Sequence, residues 1–207
     1  MQELNFTLAL LVLTGLISWQ AFNRPDMYQK LLFYPYEMKR SNDYFRFLTH
    51  GMVHADLNHL LFNLITLYSF GIGVEFYFRL YFGAQTGVTL FLLFYFSGIV
   101  LSSLPDYFRH QDNPGYRAVG ASGGVSAIVF GYIFMNPWDR VFWVVPAVLY
   151  GVLYIVYSAY MDRYSNDNIG HNAHFWGSLY GIVFVYVLLQ TMHPEVLSAI
   201  FQNYLNF

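Results

Sequence analysis

Val119-Gly120-Ala121-Ser122-Gly123-Gly124-Val125-Ser126-Ala127-Ile128-Val129-Phe130-Gly131 carries no charge, and nearly every residue in it is small or apolar. Ser122 stands near its start, within Gly120-Ala121-Ser122-Gly123. Two other apolar stretches hold polar groups: His59 and Asn63 lie on one, His174 on the other. Polar side chains inside a membrane helix are costly and by default point to function. The three stretches together direct attention to chemistry carried out inside a bilayer.

Composition agrees with a membrane setting. The 207 residues are 57% hydrophobic and 21% aromatic, with only 11% charged, against about 25% charged in a soluble domain. One domain, residues 1–207, is the natural count at this length. The chain has no cysteine, which excludes disulfides, thiolate catalysis and cysteine-ligated metal. A formal charge of −2 without a polybasic run gives no footprint for nucleic acid. Met1-Gln2-Glu3-Leu4-Asn5 lacks the basic region of a signal peptide, and no Ala-x-Ala-like site follows, so the first apolar run is expected to stay as a helix.

A spanning helix needs about 20 mostly apolar residues. Six stretches approach this: 5–22, 57–78, 84–104, 120–135, 141–160 and 171–192. The expected fold is therefore an all-α membrane protein with six transmembrane helices. The fourth stretch is short and rich in Gly, Ala and Ser, which suits a central helix with close neighbours. Residues 23–53 read as a long first loop, placed in the membrane interface by Phe33, Tyr34, Tyr36, Tyr44, Phe45 and Phe47. Residues 105–118 read as a polar third loop with Pro105 and Pro114-Gly115 as breakers, and 161–170 as a short polar fifth loop. The tail from Pro194 carries no functional signal.

With six spans, Arg79 and Arg140 lie on the side of the termini, and the other eight of the ten basic residues lie opposite. Counting charges alone puts the termini outside.

His59 and Asn63 are four apart and share one helix face. Both are donors, and two donors aimed at one point in a low-dielectric site stabilise a developing oxyanion. The same pair is equally consistent with bonds to helix or loop carbonyls. A serine hydroxyl needs an adjacent base to act as a nucleophile. Taken alone, Gly-x-Ser-Gly is also a plain small-residue contact face. It matches the nucleophile elbow in letters, but polar loop residues precede it where the elbow needs a strand. Gly177 and Gly181 form a Gly-x-x-x-Gly face, and His174, three residues earlier, points to much the same side. Docked on the fourth stretch, that face would bring His174 to Ser122. His171 reads as a boundary residue. His50 and His54 are also four apart, but His-Glu-x-x-His is absent and no catalytic metal is expected. His54 reads as an anchor for the first loop, and Glu75 as a partner for loop backbone.

The order and spacing of these motifs resemble the rhomboid intramembrane serine proteases. The matching residues are Gly120-Ala121-Ser122-Gly123, Ala173-His174-x-x-Gly177-x-x-x-Gly181 and His54-x4-His59-x3-Asn63. Phe45-Arg46 stands where the family has Trp-Arg, and Glu75 and Arg79 fall where it often has charges. The resemblance implies a serine endopeptidase with Ser122 as nucleophile and His174 as base. His59, Asn63 and the Ser122 N–H would form the oxyanion hole, and Gly120, Gly123, Gly177 and Gly181 the helix contacts. It implies transmembrane protein substrates and the lipid bilayer as partners and no metal or organic cofactor. It also implies a bacterial inner membrane location, with the site opening to the extracytoplasmic side, against the charge count. The alternative is a catalytically inactive rhomboid-like binder of membrane helices. Two departures stand out. Position 126 is Ser where some relatives carry a Tyr packed against the catalytic histidine. Phe130 takes a place where a glycine is common, with Gly131 one residue later, which raises the question of how closely the fourth and sixth helices pack.

Overall fold

The computed structural model describes residues 5–141, 143–164 and 170–205. Its long helices are α1 (Phe6–Phe22), α5 (Leu57–Phe82), α6 (Ala84–His110), α7 (Ser122–Met135), α8 (Ala147–Tyr164) and α9 (His171–Met192). Three of them, α5, α6 and α9, are long and apolar enough to cross a membrane, while α1 and α7 are shorter apolar helices. α7 is the centre: from Gly123 to Met135 every residue but Tyr132 is buried, among α5, α6, α8 and α9. The outer helices turn large apolar side chains outward, including Leu16 and Trp19 on α1, Phe62 and Ile65 on α5, and Val183 and Val187 on α9. Helices apolar on every side fit a lipid solvent.

The tightest packing is between backbones. A Cβ built on Gly177 would fall 2.2 Å from the carbonyl oxygen of Gly123, and one on Gly181 2.3 Å from that of Ala127. On the other side of α7, a Cβ on Gly98 of α6 would meet the Ala127 Cβ at 3.0 Å. Without apolar expulsion by water, membrane helices associate through such close contacts.

At the other end of α7 from Ser122, a carboxylate ties α1 to α5. Glu75 accepts from the N–H of Phe6 (3.0 Å), the N–H of Thr7 (2.8 Å) and the Thr7 hydroxyl (2.8 Å), while Arg79 Nη2 pairs with it at 2.8 Å. It satisfies the first orphan donors of α1 and sits at the positive end of that helix. Glu75→Ala takes the acceptor from the Phe6 and Thr7 donors and removes the Glu75–Arg79 ion pair; Arg79 is partly exposed, so the expected loss is about 2–3 kcal/mol. Chemical denaturation in mild detergent checks this, and an unchanged midpoint would contradict it.

The structure revises several boundaries. Residues 23–53 form helices rather than a loop: α2 (Pro25–Leu31), α3 (Pro35–Ser41), α4 (Arg46–Thr49) and a 3-10 turn (His50–Met52). Pro25 and Pro35 occupy first helical positions, where the missing N–H costs nothing. Arg46, in the Phe45-Arg46 pair, is buried, and its Nη1 donates to the carbonyls of Gln29 (2.9 Å) and Leu32 (3.0 Å), joining α4 to the end of α2. α6 does not stop before Pro105 but continues to His110; its last turns are held to α9 by Asn172 Nδ2 donating to Asp106 at 2.6 Å. α7 begins at Ser122, and α8 begins at Ala147, after a two-stranded hairpin of Arg140–Val141 (β1) and Val145–Pro146 (β2). The tail forms α10 (Pro194–Leu205), with Leu197 and Ile200 buried and Asn203 accepting from Trp138 Nε1 at 2.8 Å. Of the expected 161–170 loop, residues 161–164 are instead the last turn of α8, and residues 165–169 lie outside the described residues.

Candidate active site

Ser122 is the first residue of α7, so its N–H and the next two have no carbonyl one turn back and sit at the positive end of the helix. The chain enters this turn through Gly120 at φ 113°, a backbone state L side chains rarely adopt. Space makes the same demand: a Cβ on Gly120 would lie 2.5 Å from Cε1 of His59. The His59 imidazole is thus seated against the residue two before Ser122.

The entry is pinned by the segment before α5. The Gly120 N–H donates to the His50 carbonyl at 2.9 Å, and the Ala121 N–H to His54 Nε2 at a longer 3.4 Å. His54 Nδ1 meets Ser18 Oγ at 2.9 Å, and Ser18 donates to the Met52 carbonyl at 2.8 Å. Ser18 has one proton and gives it to Met52. His54 therefore donates from Nδ1 and accepts at Nε2, the neutral Nδ1–H form. Burial, with smaller contributions from His59 and His50, lowers its pKa to about 3; burial lowers that of His50 to about 4.

Both groups stay neutral in the fold while the unfolded chain protonates near pH 6.5, so the unfolded state binds more protons below that pH. Stability is expected to be flat above about pH 7. It should fall by about 1.4 kcal/mol per pH unit for each histidine as pH drops from about 6.5 toward about 4. Unfolding midpoints at pH 7.5 and 5 in one detergent check this; equal midpoints would contradict it.

Asn63 is buried, one turn below His59, and its Nδ2 donates to the His59 carbonyl at 3.0 Å. An amide nitrogen carries two protons, so one donor remains. Ser122 and His59 line a cavity of about 490 Å³ together with Tyr28, His50, Ser102 and Asp106. The cavity lies at the end where Phe33 and Ala118 pair through a two-bond bridge. Space for water thus reaches Ser122 from one end of the bundle.

The start of α9 lies on the start of α7. Besides the Gly177–Gly123 contact, the Ala173 carbonyl oxygen is 3.5 Å from a Cβ built on Gly123. His174, half-buried, falls between these two contacts in sequence. Its ring stacks with Tyr154 of α8, centroids 6.1 Å apart and planes at 29°. His171 is the first residue of α9 and meets the Tyr157 ring edge-on at 5.8 Å. Phe130 faces α8, its ring 5.6 Å from that of Tyr154 and its Cε1 3.3 Å from a Cβ built on Gly151. The residue under Gly181 is Ala127, and Gly131 meets Phe94 and Val185. Sequence reasoning passed over Tyr154, Ser102 and Asp106. The last two are four apart on α6 and share a face, a spacing that was available to read.

A model of the rhomboid domain matches residues 41–191, nearly all of the chain from α3 to the end of α9. The chain is 28% identical over 173 residues to "RHOMBOID-like protein 12, mitochondrial" of Arabidopsis thaliana, covering 78% of this chain and 51% of that one. It is 31% identical over 160 residues to "Rhomboid-related protein 1" of Caenorhabditis elegans, 73% of this chain and 42% of that one. It is 25% identical over 181 residues to "Rhomboid protease GlpG" of Haemophilus influenzae, 86% of each. The chain thus spans about half the length of the plant and nematode relatives. With a mitochondrial protein among them, these relatives lend no support to a bacterial inner membrane in particular. The extent of the domain match, over a helical bundle with apolar outer faces, leads to one conclusion: the chain belongs to the rhomboid family.

Proposed function

We propose that this protein is an intramembrane serine endopeptidase that cuts membrane-protein substrates in or near their transmembrane helices, with Ser122 and His174 as its dyad. The observation that carries the reading is the glycine contact of α9 on the first turn of α7, which sets the His174 turn level with Ser122. In this scheme Ser122 Oγ attacks the scissile carbonyl carbon as His174 takes its proton. The oxyanion is met by the Ser122 N–H at the positive end of α7, the second Asn63 proton and the His59 ring. Such donors act most strongly where water is excluded. The C–N bond breaks, and His174 returns the proton to the leaving amine. A water from the cavity then attacks the acyl-enzyme, again giving its proton to His174, which passes it back to Ser122 Oγ. The whole sequence draws on side chains, backbone and water.

The reading extends to six membrane-crossing helices, α1 and α5–α9, with the cavity open to the extracytoplasmic side. Reconstitution in liposomes with a single-span membrane protein tests the function: two fragments that meet within the span or next to it are expected. Tight association with intact substrate and no cleavage would turn the reading to a non-catalytic binder of membrane helices.

A further inference from the structure

We propose that Tyr154 of α8 is a positioning residue that holds the His174 ring in its working orientation, with Ser126 as its anchor. The inference rests on the reading of His174 as the base.

Tyr154 touches both α7 and α9, the two helices of the proposed dyad. Its ring lies over His174 with centroids 6.1 Å apart and planes at 29°, an offset-stacked geometry. Its hydroxyl is 3.0 Å from Ser126 Oγ. Its ring also meets those of Phe130 at 5.6 Å and Tyr150 at 6.0 Å. Ser126 is four residues after Ser122 on α7, so the two share a face. The chain Ser126–Tyr154–His174 therefore ties the imidazole back to the helix that carries Ser122.

An imidazole on a helix turns about two side-chain torsions, and the second is broad. A ring laid on its face removes much of that freedom before substrate arrives, which is how neighbouring groups preorganise a site. The small residue at 126 makes room for this. Ser126 is buried, and its hydroxyl is short enough to leave the Tyr154 ring a place over His174.

α8 sits at the edge of the bundle. Of its 18 residues only Ala147, Gly151 and Ser158 are buried, while Leu149, Val152, Leu153, Val156, Tyr157 and Tyr160 are exposed. Tyr154 falls between Gly151 and Ser158 on the inward stripe. The orientation of the histidine is thus tied to a helix that is otherwise lightly packed.

The test measures turnover of a single-span substrate in liposomes for the wild type, Tyr154→Ala, Tyr154→Phe and the exchange variant Ser126→Tyr/Tyr154→Ala. The exchange moves the aromatic ring from α8 to α7. Tyr154→Ala is expected to lower kcat by about 100-fold with little change in KM, the size of effect a misplaced reacting group gives. Tyr154→Phe keeps the ring and loses one hydrogen bond, so it should stay within about 10-fold of wild type. The exchange variant should regain most of the loss. A kcat for Tyr154→Ala close to wild type, or a loss seen only in KM, would overturn the proposal.

The ¹⁵N imidazole resonances of His174, assigned by their disappearance in His174→Ala, give a readout that needs no turnover. They should shift and broaden in Tyr154→Ala and stay near wild type in Tyr154→Phe; no change in Tyr154→Ala overturns the proposal. A wild type that neither cleaves nor reacts at Ser122 would defeat the protease reading instead, and the resonances would still decide the role of Tyr154.

Discussion

Ser122→Ala is expected to lower peptide-bond cleavage by on the order of 10⁶-fold while leaving folding and substrate association intact. His174→Ala should cost about the same, because a nucleophile and its base act as a unit and their effects do not add. The double variant should therefore be no slower than either single one. Asn63→Ala removes one donor and should cost about 10²–10³-fold in kcat. Buried Asn63 also donates to the His59 carbonyl, so its unfolding midpoint is measured alongside. Turnover of a single-span substrate in liposomes checks the series. Full activity in Ser122→Ala would mean that the nucleophile lies elsewhere.

Gly177→Ala is expected to be the most damaging single methyl group in the chain. The added Cβ would stand 2.2 Å from the Gly123 carbonyl oxygen and 2.9 Å from the carbonyl carbon. Both are backbone atoms of the central helix, which no rotamer change can move aside. α9 must shift outward along its first turns, and His174 is carried with it. Overpacking of this kind costs about 3 kcal/mol, and a displacement of about 1 Å at a reacting group costs about 100-fold in rate. Ala at Gly170, where the nearest atom is the Ala173 Cβ at 3.8 Å, is the control at the same end of α9. Thermal unfolding and turnover measured together check the expectation. A Gly177→Ala protein with wild-type stability and rate would show that the seam is looser than the structure has it.

Much of the helical framework was legible because lipid imposes a simple demand. Apolar runs had to be about as long as the bilayer is thick, and α5 and α9 begin where the runs begin, at Leu57 and His171. α5 even announces its start: Asp56 accepts from the His59 N–H at 2.8 Å, an N-cap one residue before the first helical position. Local punctuation misled elsewhere. Pro105 reads as a stop, yet proline only removes one hydrogen bond late in α6, and contacts from α9 hold the following turn. Pro25 and Pro35 were swallowed by the aromatic density of the first segment. The signals for α2 and α3 were nevertheless present, with Asp26 and Glu37 in first turns and Lys30, Lys39 and Arg40 in last turns.

In the site, the glycines at 177 and 181 were readable as a contact face because small residues at a spacing of four mark one side of a helix. The role of position 126 was not. The sequence shows a serine where some relatives carry a tyrosine, and nothing local says that the ring now comes from α8. Tyr154 stands among Tyr150, Tyr157, Tyr160 and Tyr164 on a helix that is apolar on every side. Periodicity cannot tell which tyrosine turns inward when lipid and protein interior are equally apolar. Phe130 is a similar case: it faces α8, and the residue under Gly181 of α9 is Ala127.

The most direct measurement is covalent labelling by a fluorophosphonate probe in detergent, comparing wild type, Ser122→Ala and His174→Ala, each checked for native unfolding behaviour. The account predicts one labelled site in the wild type and no labelling in either variant, because only a serine with an adjacent base attacks the phosphorus. Labelling that persists in Ser122→Ala, or a folded wild type that does not react, would contradict it.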